Sequence, residues 1–99
     1  AAADLFERAV AIRPKDPVIL NNAGNALFLT RRYEEAIRNL EQALALNPGF
    51  PDAWLNYGRA LNAAGKPSDA LRAFGQLQRL KPDSLGAMMG IARAYTGLG

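Results

Sequence analysis

The sequence predicts an all-α chain built as a solenoid of antiparallel helix pairs, and three observations carry that expectation. Pro14, Pro48 and Pro82 stand 34 residues apart, and each closes a similar run: Ala-Ile-Arg-Pro, Ala-Leu-Asn-Pro and Arg-Leu-Lys-Pro. A fixed period of this size marks a helical repeat. Aligning the prolines aligns the rest: Ala23-Gly24 over Tyr57-Gly58 and Ile91-Ala92, Leu27 over Leu61 and Tyr95, Ala36 over Ala70 and Ala2, Leu40 over Phe74 and Phe6, Ala43 over Leu77 and Ala9. Ala and Leu are common, Val and Ile are few, and no period-two alternation appears, which favours helix throughout.

Each unit holds two apolar patterns of helical spacing separated by a short break. Helices are predicted over 3–13, 17–30, 33–46, 51–64, 67–80 and 85–96. The first is the second half of a repeat (1–16), two complete repeats follow (17–50 and 51–84), and the last is the first half of another (85–99). Asp16 suits the N-cap of the second helix, since its carboxylate can accept from free N–H groups, and Pro17 suits the first helical position. The third helix follows the break Thr30-Arg31-Arg32. Pro51, with Asp52 behind it, opens the fourth. Gly65 can take positive φ to end it, and Pro67 can start the fifth. Ser84 opens the sixth. Loops of two to four residues imply that successive helices run antiparallel.

The small residues have a packing reason. Gly24, Gly58 and Ala92 lie on the face of each first helix that meets its second helix, with Ala36 and Ala70 opposite. Small side chains let helix axes approach toward the short end of about 8–10 Å. Leu20, Trp54, Met88, Leu40, Phe74 and Phe6 are expected to fill the spaces beside them.

The chain of 99 residues carries 49% hydrophobic residues, enough for one modest core. Its net charge is +3, with twelve basic residues scattered among nine acidic ones, which reads as a solvated helical surface and not as a nucleic-acid site. Without cysteine or histidine, zinc fingers, thiol nucleophiles, His-based general bases and disulfides are excluded. No apolar run approaches a membrane span. Lack of cysteine fits a reducing or an oxidising compartment and fixes neither; the cytoplasm is slightly favoured. The start Ala-Ala-Ala-Asp, with no Met, reads as a fragment whose targeting segment, if any, was removed.

These residues resemble the tetratricopeptide (TPR) repeat. The family pattern sets a bulky residue, Leu-Gly, Tyr or Leu, Ala, Phe, Ala and a closing Pro over one period. Here it reads Trp54, Tyr57-Gly58, Leu61, Ala70, Phe74, Leu77, Pro82 and, before that, Leu20, Ala23-Gly24, Leu27, Ala36, Leu40, Ala43, Pro48. The start supplies Ala2, Phe6, Ala9 and Pro14, and the end Met88, Ile91-Ala92 and Tyr95. Leu77 replaces a small residue, and Tyr57 and Ala23 replace a Leu. The resemblance implies a right-handed superhelical solenoid whose first helices line a concave groove that binds an extended peptide or a helix of a partner protein.

By position, that lining is Val18, Asn21, Asn22, Asn25, Phe28 and Leu29, then Asp52, Leu55, Asn56, Arg59, Asn62 and Ala63, then Gly86, Met89, Gly90, Arg93 and Thr96. Asn22 and Asn56, one period apart, are expected to stack as an amide ladder able to pair with a peptide backbone, until Gly90 breaks it. This resembles the asparagine ladder of sugar-transferring enzymes that modify Ser/Thr. Asn25, Arg59 and Arg93 form a second row whose two Arg suit a carboxylate or phosphate. Phe28 and Leu29 are either groove-facing anchors or packing on the neighbouring unit, the latter favoured for Leu29. A family subset binds acidic chaperone tails through Lys, Asn, Asn, Lys and Arg. The matching positions here are Asn21, Asn25, Asn56, Gly86 and Gly90, so the basic residues are missing and this reading is rejected.

Neither catalysis nor a cofactor is expected. Glu34-Glu35 suit a helix N-terminus better than an acid/base pair. A substrate-presenting array within a larger transferase is the alternative. A further expectation is homo-association through Met88, Ile91, Tyr95 and Leu98, which no polar capping helix covers. Gly86, Gly90 and Gly97 make the last helix the first expected to fray.

Overall fold

The protein is described by a computed structural model covering residues 2–98, with side chains from Asp4 to Leu98. Ala2, the repeat equivalent of Ala36 and Ala70, lies outside those side chains, as do the outer limits Ala1 and Gly99 of the two half repeats. Six α-helices fill the described chain: α1 (Ala2–Ile12), α2 (Pro17–Leu29), α3 (Tyr33–Leu46), α4 (Pro51–Ala63), α5 (Pro67–Leu80) and α6 (Leu85–Leu98). Consecutive helices pack on one another. In addition α2 lies against α4 and α4 against α6, whereas the backbones of α1, α3 and α5 do not approach each other. The even helices therefore form a close inner layer and the odd ones splay outward. That asymmetry curves the array of 40 × 25 × 18 Å and makes α2, α4 and α6 the concave side of a helical solenoid.

Local chemistry explains the boundaries. The Asp16 carboxylate accepts from the Val18 and Ile19 amides at 3.0 and 3.4 Å, as an N-cap should. Ser84 Oγ accepts from the Ala87 amide at 3.1 Å at the start of α6. α2 and α4 close alike. The Arg32 amide reaches back to Leu27 O and Arg31 to Phe28 O; one period on, Lys66 reaches Leu61 O and Gly65 Asn62 O. This paired pattern requires a left-handed residue just past the helix. Gly65 takes it with φ 78°, as the sequence suggests, and Arg31 takes it with φ 64° although it carries a Cβ. The closures end α2 and α4 one residue earlier than the spacing predicts, while α6 runs to Leu98, through Gly97.

The outer helices are tied by charge as well as packing. Arg32 forks onto Glu35 through Nε and Nη2, and Nη2 also lies 2.8 Å from Glu7 Oε1 of α1. The latter is a charge contact whose angle misses a hydrogen bond. One period later Lys66 Nζ donates to Glu34 Oε1 at 3.1 Å. These pairs are half-exposed, so each contributes little alone.

The core forms two clusters, and both cross the boundary between the two complete repeats. Leu20, Ala43, Leu44 and Ala53 form one cluster; Leu27, Leu40, Leu61, Phe74 and Leu77 belong to the larger one. A Cβ on Gly24 would stand 2.6 Å from Leu40 Cγ, and a Cβ on Gly58 would stand 2.6 Å from the Phe74 ring. These two glycines have the packing role that the sequence assigns them. Ala92, their counterpart, is exposed on α6, and Met88 is exposed too and fills no core space. Both belong to the face that α3 and α5 cover on α2 and α4. Trp54 is half-buried between the clusters and donates from Nε1 to Pro48 O at 2.7 Å. Tyr57 donates to Glu41 Oε2 at 3.0 Å. Its phenol is pushed up to about 12 by burial first and by the Glu41 hydrogen bond and charge second.

Candidate functional site

The curvature opens a groove of roughly 610 Å³ between α4 and α6, reaching Phe28 on α2. Its apolar wall is Phe28, Leu55, Phe74 and Met89; its polar groups are Arg59, Asn62 and Arg93; Gly86, Gly90 and Gly97 keep α6 low along one side. Packing dictates Gly90, whereas the neighbour of Gly86 is the flexible end of a side chain. A Cβ on Gly90 would fall 2.2 Å from the Phe74 ring, and one on Gly86 would fall 2.9 Å from Leu55 Cδ1.

The polar groups divide into committed and free ones. Asn62 Nδ2 donates to Gly90 O at 3.1 Å, which fastens α4 to α6 and leaves its amide oxygen available. The Arg59 guanidinium carbon sits 5.0 Å from the centre of the Phe28 ring. This cation–π contact crosses from α4 to α2 and restrains the guanidinium without using up its N–H donors. Phe28 is itself steadied by Tyr33, ring centres 5.8 Å apart. Neither Arg59 nor Arg93 has an acidic partner among the described residues, in contrast to Arg32 and Arg72.

The structure brings together Phe28, Leu55, Arg59, Asn62, Met89 and Arg93, all expected in the lining. The amide row is different. Asn21, read as a groove residue, is buried at 6% exposure, and its Oδ1 accepts from Asn56 Nδ2 at 2.9 Å. Asn56 thus pairs with the residue before its repeat counterpart. Asn22 is exposed, with no ladder bond to Asn56, and Asn25 is half-buried; neither lines the groove. The reason is geometric: inner helices that cross at an angle bring position i against i+35 here, so a row aligned by period is not aligned in space. Leu29, for which the sequence favours packing on the neighbouring unit, is 67% exposed, and Val18 is exposed as well.

On α6, Met88, Tyr95 and Leu98 are exposed, as expected for the association face, while Ile91 is half-buried against the core. Sequence reasoning named Leu85 only as a helix start; it is exposed on the same helix. It also passed over Gly65 and Pro67 as groove-lining residues, because they belong to a turn and not to a first helix. Their signal was the short break that sets the turn beside the neighbouring helix. Among the described residues no cluster of acidic side chains could hold a metal ion, and no helix is long and apolar enough to cross a membrane.

A tetratricopeptide repeat family model matches residues 27–84. No curated protein sequence matches the chain. Among solved structures, the first TPR of Spaghetti (RPAP3) bound to the HSP90 peptide SRMEEVD superposes with a TM-score of 0.91 at 23% identity, over 97% of this chain and 76% of that one. The second TPR domain of human RPAP3, in complex with the HSP70 peptide SGPTIEEVD, gives 0.87 at 22% identity, over 94% and 78%. MamA protein gives 0.90 at 26% identity, over 98% of this chain and 53% of MamA. The RPAP3 likenesses speak for the fold. With six helices in phase at a period of 34 and a family match across more than half its length, this chain belongs to the tetratricopeptide repeat family.

Proposed function

We propose that this chain is a protein-interaction module that holds an extended peptide, or a helix, of a partner protein in the groove between α4 and α6. The observation that carries this reading is the groove itself: an apolar wall with two arginines that no acidic side chain among the described residues occupies. Two solved relatives of the same fold hold peptides of HSP90 and HSP70, which supports peptide binding as the class of activity. Their kind of ligand fits this groove poorly. The positions that would hold an acidic chain terminus carry Asn21 and Asn56, bonded to each other, and Gly86 and Gly90, which have no charge. In this reading the chain performs no catalysis and needs no cofactor.

Selection from a displayed library of random peptides tests it. Gly86→Leu is the control, because it fills the groove while replacing a helical glycine with a better helix former; the Cβ it adds presses on the flexible end of Leu55. Selected peptides are expected to bind the native chain and to lose about tenfold or more on Gly86→Leu. Selected peptides that ignore Gly86→Leu, or no selected peptide at all, would overturn the proposal.

A second reading is self-association through α6, favoured by the exposure of Met88, Tyr95 (63%) and Leu98. Light scattering over a concentration series tests it. A mass that rises with concentration and reverts on Met88→Glu supports it, and a constant monomer mass refutes it.

A further inference from the structure

Resting on the peptide-binding reading, we infer that the groove selects an acidic segment inside a polypeptide: two side-chain carboxylates two or three residues apart, bracketing one bulky apolar side chain. Three features combine. The described lining residues include two arginines and no carboxylate. Arg59 and Arg93 occupy the same helical position one repeat apart, on inner helices packed side by side. Neighbouring helix axes lie about 8–10 Å apart. Residues two or three apart in an extended chain are separated by roughly 7–10 Å, a span of the same order as the spacing of the helices that carry the two arginines. A single chain terminus would satisfy one arginine and leave the other facing an apolar wall.

The Arg59 site is prepared for such a ligand. The contact with the Phe28 ring at 5.0 Å restrains the Arg59 side chain, so less side-chain freedom is lost when a carboxylate takes its N–H groups. Between the arginines, the groove floor is apolar, lined by Leu55 and Met89 with the buried Phe74 ring seated against Gly90. A Leu, Phe or Trp side chain of the ligand fits there, where its burial supplies affinity and the charges set register and direction. The free amide oxygen of Asn62 accepts a backbone N–H of the bound segment.

The probe is a fluorescein-labelled peptide, acetyl-Ser-Glu-Trp-Ser-Glu-Ser-amide, whose blocked ends remove both terminal charges. Fluorescence anisotropy is expected to show saturable binding to the native chain. Arg59→Ala and Arg93→Ala are each expected to weaken it about fivefold, and Trp→Ala in the peptide about tenfold or more. Raising salt from about 50 mM to about 500 mM should weaken it further. Arg93→Glu should bind a peptide with Lys in place of one Glu better than the parent peptide, a reversal that loss of folding cannot produce. Equal binding of the Glu peptide and its Gln counterpart would sink the acidic-segment inference. If library peptides are selected and lost on Gly86→Leu but are neutral or basic, this inference fails while the groove reading stands. If no peptide depends on Gly86, both fail.

Discussion

The two complete repeats solve one packing problem with different volumes. In the first, Leu40 of α3 lies against Gly24 of α2. In the second, Phe74 of α5 fills the same register, touching Gly58 of α4 and also Gly90 of α6. The larger ring reaches a third helix, and that helix gives up a side chain to admit it. At the position matching Gly90, the register of the smaller Leu40 carries Asn56. In this array a larger side chain in one unit is matched by a smaller one in the next.

The sharpest way to break the comparison is to empty both sites. Phe74→Ala is expected to cost about 4 kcal/mol and Leu40→Ala about 3 kcal/mol in urea unfolding, since the ring touches three helices. Equal losses would mean that the contact with α6 contributes nothing. Next in size, Gly90→Ala should cost about 2 kcal/mol by overpacking against Phe74, against the gain in helix propensity. Combined with Phe74→Leu, the same change should cost nothing further, and the double-mutant cycle reports the coupling.

A smaller contrast lies at the turns. Arg31 and Gly65 share a left-handed backbone, which a glycine adopts freely and an arginine does not. Arg31→Gly is expected to raise stability by about 1 kcal/mol, and Gly65→Ala to lower it by about as much. The finest test is alkaline. Tyr57 occupies the position held by Ala23 in the first repeat. Its folded pKa is raised from 10 to about 12, so the folded state binds the extra proton between those values. Stability should be intact below pH 10 and fall as pH rises toward 12, and Tyr57→Phe should remove that dependence, read by circular dichroism.

Most of this fold was legible because the repeat reports each position three times. Period, helix starts at Asp16 and Ser84, and the closing turn at Gly65 follow from local chemistry that acts within one helix turn. The groove lining was legible in the same way for Leu55, Arg59, Asn62, Met89 and Arg93, whose helix face is set by a 3.6-residue period. What failed depends on how helices cross. The Asn21–Asn56 bond joins positions 35 apart, and no count along one chain gives the angle between two axes. Arg31 was missed for another reason: arginine is not a residue that announces positive φ. Its alignment with Gly65 was the available signal, and it required reading a turn by its repeat partner instead of by its own residue type.

The fit of Phe74 against Gly90 also bears on how such an array can grow. Gene duplication of residues 51–84 in tandem would place Asn56 of the new copy where Gly90 stands, in the path of the preceding Phe74 ring. The second repeat is therefore not a freely copyable module. A tandem copy of it fits only if the ring shrinks or the following helix carries a glycine, so the packing unit here is a pair of neighbouring repeats and not a single one.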